Sequence, residues 1–179
     1  MRSAIAAAVV SIAALASAEP LPPASLEVLG GGTSGTGADA KPLGFGYVIG
    51  AEAAWQPMAT ERRWGWTVRW ATLFGRLYDG TAATIDDSLR TVQMDLTLGI
   101  RFRPWATPSR YLTARAGGGL LRTNDPVGSG GRAFIGPVTA VGIDQYIGSF
   151  VMGIDVRYGM IANGPEQVQL VVRLGVAGP

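Results

Sequence analysis

The chain has no cysteine and no histidine, and one of its 15 basic residues, Lys41, is a lysine. Without cysteine there is no disulfide, no thiol nucleophile and no attachment point for a lipoprotein anchor. Without histidine there is no imidazole base, no imidazole metal ligand and no Ser-His-Asp triad. The scarcity of lysine bears on surfaces, because a soluble barrel solvates its outside largely with Lys and Glu. Long apolar runs are also missing: beyond the N-terminus no segment reaches the roughly 18–20 apolar residues of a membrane-spanning helix. A chain of this kind enters a bilayer as a closed barrel or not at all. Past residue 18, thirteen Arg and Lys41 face thirteen carboxylates, a balance that carries no nucleic-acid footprint. No nucleic-acid partner is expected.

The first eighteen residues have the layout of a secretory signal. Arg2 gives the positive start, Ala4 to Leu15 the apolar stretch, and Ala16-Ser17-Ala18 the small residues of a cleavage site. The expectation is a cleaved signal over 1–18 and one domain over 19–179, beginning at Glu19.

What the rest of the chain holds in quantity is alternation. Between Arg90 and Arg103, Val92, Met94, Leu96, Leu98, Ile100 and Phe102 occupy even positions, while Thr91, Gln93, Asp95, Thr97, Gly99 and Arg101 occupy odd ones. A strand sends successive side chains to opposite faces, so one face is apolar and the other polar. The code returns at Phe150, Met152, Ile154, Val156, Tyr158 and Met160, and again at Val168, Leu170, Val172, Leu174 and Val176. Further strands are predicted over 25–30, 43–55, 63–77, 110–121 and 132–145, which makes eight. The Gly/Ser/Thr-rich stretch Gly30 to Pro42 is expected as a loop, with other long connections over Tyr78–Ser88, Arg122–Gly131 and Ala162–Glu166.

The order of these features suggests their pairing. Pro57-Met58-Ala59-Thr60 before Arg63, Thr67 and Arg69 is echoed by Pro104-Trp105-Ala106-Thr107 before Arg110, Thr113 and Arg115, a repeated hairpin with its Pro-x-Ala-Thr turns at one end. Aromatics gather near both ends: Trp55, Trp64, Phe102, Trp105 and Phe150 at one, Phe45, Tyr47, Phe74 and Tyr158 at the other. Two such bands fit girdles at headgroup level. Pro137 interrupts the sixth strand, and a bulge is expected at Gly136-Pro137. The fold class expected is all-β, an eight-stranded antiparallel up-and-down transmembrane barrel.

On this pattern the chain resembles the small eight-stranded outer-membrane barrels of the OmpA and OmpX type. The resemblance implies periplasmic termini, short periplasmic turns, longer surface loops and residence in the bacterial outer membrane. Its partners would be outer-membrane lipid and, during biogenesis, the barrel-assembly machinery. That family usually closes its last strand on an aromatic residue, where this chain reads Val176-Ala177-Gly178-Pro179.

Little in the sequence points to catalysis. Gly30 to Gly37 lacks the Lys-Ser/Thr of a phosphate cradle, and Asp86-Asp87 and Asn124-Asp125 lack the spaced oxygens of a calcium loop. No enzymatic activity and no cofactor are expected. The inward charges say more: Glu27, Glu52, Asp95 and Asp155 balance Arg69, Arg115, Arg157 and Arg173 on the polar faces. An eight-stranded barrel is just wide enough to be filled by side chains, so these groups are expected to pair into a lumen network. A gated pore or proton path is the alternative use of the same charges. A different class of protein, a soluble lipocalin-like barrel binding an apolar ligand, would turn the apolar faces inward.

Overall fold

The computed structural model describes residues 24–36, 43–56, 63–79, 89–104, 109–124, 132–159 and 166–178. Alternation over these segments produces eight strands: β1 (Ala24–Thr36), β2 (Leu43–Trp55), β3 (Trp64–Asp79), β4 (Leu89–Phe102), β5 (Arg110–Asn124), β6 (Arg132–Ile147), β7 (Phe150–Gly159) and β8 (Glu166–Gly178). Each pairs antiparallel with the next, and β8 returns to β1, from Ala24↔Gly178 to Thr36↔Glu166, to close a barrel. Closure leaves no unpaired strand edge. Both β1 and β8 have their outer ends at the same rim, with the β2–β3, β4–β5 and β6–β7 connections. The other rim, called the loop end below, takes the β1–β2, β3–β4, β5–β6 and β7–β8 connections.

Burial follows the sequence period residue by residue. On β4 the side chains of Leu96 and Leu98 are 61% and 58% exposed, while Asp95 and Thr97 are buried at 3% and 5%. The same holds on β7, where exposed and buried residues alternate from Phe150 to Arg157. Apolar residues therefore face outward and charged ones inward, the reverse of a soluble ligand-binding barrel, which removes the lipocalin-like alternative. Apolar packing inside is confined to small clusters, such as Leu29, Val48, Ala71, Leu73 and Val171.

Three expectations need correction. The first strand does not stop at Gly30: Gly30 to Thr36 continues it, paired to β8 along its whole length and to β2 as far as Ser34. Two ladders outweigh the poor strand propensity of this Gly/Ser/Thr run. Glycine also has a use there, since a Cβ at Gly31 would meet the Leu170 carbonyl oxygen and lie 2.8 Å from the Val171 Cα. The fifth and sixth strands likewise run on, to Asn124 and Ile147. Last, no bulge forms at Gly136-Pro137. The β5–β6 register passes unbroken through Gly118↔Pro137, and described β7 pairing ends one residue earlier at Val138↔Gly159, so no described β7 bond is asked of the proline nitrogen. The irregularity lies elsewhere, between Leu43 and Gly46 on the β2–β3 pair.

The β6–β7 connection is a two-residue turn, Gly148-Ser149, between the paired Ile147 and Phe150. Gly148 has φ +58°, a left-handed conformation that favours glycine and suits tight hairpins. The proposed signal segment, residues 57–60 and 105–107 of the Pro-x-Ala-Thr turns, and the acidic pair Asp86-Asp87 lie outside the described residues.

Candidate functional site

The inward face of nearly every strand contributes a charge or a hydrogen-bonding group to the lumen. Arg69 on β3 donates through Nη1 to Glu52 on β2 at 2.7 Å and through Nη2 to Asp144 on β6 at 2.5 Å, with Glu27 on β1 at 3.6 Å. Arg173 on β8 reaches Glu27 at 2.6 Å, also pairs with Asp144, and has Nε 3.0 Å from Asp155 on β7. Arg115 on β5 pairs with Asp155 and, at 3.5 Å, with Glu52. Arg157 on β7 pairs with Glu52 and lies 3.2 Å from Asp155. Four guanidinium groups and four carboxylates thus form one connected, electrically balanced cluster, every member buried.

Neutrality matters because an isolated buried ion costs several kcal/mol, and only close opposite charges and hydrogen bonds offset it. Bidentate guanidinium geometry lets each arginine serve two carboxylates on different walls. Space is made by glycine: a Cβ on Gly142 would meet the Asp155 carboxylate, and one on Gly153 would come 2.5 Å from Arg173 Nη2.

Seven of the eight charged residues expected in the lumen meet directly in this cluster. Asp95 stands apart. Its two oxygens accept from Gln93 Nε2 at 2.9 and 2.8 Å, Gln93 Oε1 accepts from Gln169, and Gln169 donates to Gln167. This amide chain lies toward the loop end of the cluster. Two voids of about 10 Å³ flank it, one among Gln93, Asp95, Arg157, Gln167 and Gln169, the other among Glu52, Asp95, Thr97, Arg115 and Arg157. Each has room for about one water molecule. Gln167 Nε2 and Gln169 Oε1 are buried without a protein partner, so the first void is polar.

Sequence reasoning missed Asp144 as a member of the cluster and Arg101 as a lumen residue, although both sit on polar strand faces. It also missed a layer nearer the termini. There the Arg101 guanidinium lies 4.3 Å from the centre of the Tyr111 ring and 5.1 Å from that of Tyr146. The two rings meet edge to face, and Gln56 Nε2 donates to the Tyr146 hydroxyl at 2.6 Å. Tyrosine on an inward position was the available signal, since a ring with a hydroxyl suits a polar interior.

Outside, the two aromatic bands hold in part. Trp64 stacks on Phe102 with ring centres 4.2 Å apart, and Trp55 meets Trp66 edge to face at 5.1 Å, both near the rim of the termini. Phe45, Tyr47 and Phe74 are exposed toward the loop end. An apolar outer surface with aromatic margins around a charged lumen is the surface of a barrel that spans a bilayer. No group of carboxylates among the described residues could hold a metal ion.

Comparison with solved structures agrees. The attachment invasion locus protein Ail of Yersinia pestis superposes with a TM-score of 0.60 at 13% identity, over 87% of this chain and 98% of that one. The fold is that of the small outer-membrane barrels. A second such barrel, Neisserial surface protein A, matches with a TM-score of 0.58 at 13% identity, over 89% of this chain and 99% of its own. No family model matches the sequence, and no curated relative does.

Proposed function

We propose that this chain is an integral protein of the bacterial outer membrane, non-enzymatic, whose lumen is closed by an ionic plug and whose role is envelope integrity or surface contact through its loop-end connections. The observation that carries this reading is the inverted polarity of the barrel: exposed Leu96 beside buried Asp95 on one strand. A cluster held by residues from opposite walls, flanked among the described residues by two water-sized voids, supports a structural lumen over a pore or proton path. Ail is by its description an attachment invasion locus protein, and the second neighbour a surface protein, which favours surface contact as the use of the loop end. Cleavage after Ala18 and insertion by the barrel-assembly machinery belong to the same proposal.

Fractionation tests it. The protein is expected in the detergent-extracted envelope fraction, beginning at Glu19, and migrating faster in SDS before boiling than after, because a closed barrel offers detergent no edge to open. Recovery as a soluble protein with the same mobility boiled or unboiled would overturn the proposal.

A further inference from the structure

On three neighbouring strands an arginine takes the outward position next after an apolar residue near the loop end. The apolar succession on β3 ends at Phe74 and is followed by Arg76. On β4 the last apolar residue toward this rim is Val92, beyond which stands Arg90, and on β5 Leu120 is followed by Arg122. Arg76 is directly opposite Arg90 across β3 and β4, while Arg122, opposite Val92, is the diagonal neighbour of Arg90. Side chains directly opposed on one sheet face have Cβ atoms about 5 Å apart, and diagonal ones about 7–8 Å. Arg90 and Arg122 are exposed and Arg76 half-buried. None of the three takes part in an ion pair among the described residues.

A bare arrangement of this kind is unfavourable. Like charges directly opposed destabilise a strand pair, and a guanidinium cannot relieve the repulsion by losing its proton. A shared anion does relieve it, and phosphate matches the guanidinium fork bidentately. The position selects the source of that phosphate: one outward step beyond the apolar belt, a side chain of this length reaches the layer of lipid headgroups. We propose that Arg76, Arg90 and Arg122 form a binding site for the phosphate groups of an anionic lipid in the leaflet at the loop end. The proposal rests on the bilayer-spanning reading above. At the opposite rim the outward arginine of β5, Arg110, instead donates through Nε to Gln145 at 2.9 Å.

The test places the folded, full-length barrel in vesicles of phosphatidylcholine alone and of phosphatidylcholine with phosphatidic acid. Two quantities are read: the lipid retained on the protein in native mass spectrometry, and the thermal unfolding midpoint. The wild type is expected to retain phosphatidic acid in preference to phosphatidylcholine. The triple variant Arg76→Gln, Arg90→Gln, Arg122→Gln should retain it at least about tenfold less, the loss of charge-assisted contacts, while Arg110→Gln retains it fully. Arg90→Gln alone should lower the midpoint more in phosphatidic acid than in phosphatidylcholine, whose phosphate is offset by its own choline. Equal retention by wild type and triple variant would overturn the site. Displacement of the lipid by equimolar inorganic phosphate, or equally tight capture of a soluble polyanion in neutral vesicles, would overturn its assignment to lipid. Failure of every form to insert and show heat-modifiable mobility would instead overturn the bilayer-spanning reading, and the site with it.

Discussion

Arg69 on β3 and Asp144 on β6, 75 residues apart in sequence and on walls of the barrel that do not pair with each other, meet at 2.5 Å across the lumen. The contact ties two non-adjacent strands. Arg69→Ala would leave Asp144 with Arg173 and Glu52 with Arg115 and Arg157, and the buried cluster one negative charge in excess, at an expected cost of about 3–5 kcal/mol. Urea unfolding in lipid vesicles measures it. The double change Arg69→Met with Asp144→Leu should cost clearly less than the sum of the two single changes. Additive losses would mean that the pair is not coupled.

Packing around the cluster predicts opposite outcomes for two glycines. Gly142→Ala would drive a methyl group into the Asp155 carboxylate and to 2.6 Å from the Ile154 carbonyl oxygen, an overpacking penalty of about 1–3 kcal/mol. Gly118, on the outer face of β5, has open space where a Cβ would stand, with no atom within 4 Å, and Gly118→Ala is expected to change stability by less than about 0.5 kcal/mol. The same unfolding assay compares them.

The two faces of β4 separate by their surroundings. A fluorophore on cysteine replacing Leu96 or Leu98, and likewise Val156 or Leu170, should be quenched by brominated lipid. One replacing Thr97 or Gln169 should not. Leu96→Arg, a charge placed near the bilayer midplane, is expected to cost about 2–4 kcal/mol. Uniform quenching at both sets of sites would contradict the assignment of faces.

Conductance follows from the voids. Spaces of about 10 Å³ beside Asp95 and Arg157 admit single waters and no hydrated ion, so the wild-type barrel should show no stepwise current in a planar bilayer. A steady single-channel current in the wild type would refute the plug.

Much of this architecture was legible in the sequence because the strand period is two and the bilayer demands that it be kept: a single slip on β4 would put Asp95 into lipid and Leu96 into the lumen. Element ends were harder to read. Gly30 to Thr36 carries loop-forming residues, and only the ladders from β2 and β8, which come from far along the chain, make it strand. Pro137 read as a defect for a related reason, since its tolerance depends on where β7 stops. Parity set eight charges on inward faces, Asp95 among them, but parity says nothing of partners. Asp95 takes a glutamine where an arginine was expected, and Asp144 completes a cluster whose other members lie on distant strands.

The order in which the cluster is supplied has a consequence for assembly. Arg173 lies on the last strand and bridges Glu27 of the first, Asp144 and Asp155. Until β8 docks, those three carboxylates lack a shared countercharge, and an unfinished barrel would hold surplus negative charge in a space that lipid is beginning to surround. Completion of the ring and neutralisation of its interior are one event. Without that last strand, three guanidinium groups stand against four carboxylates in the cluster, so its neutrality is a property of the closed ring and of no shorter part of it.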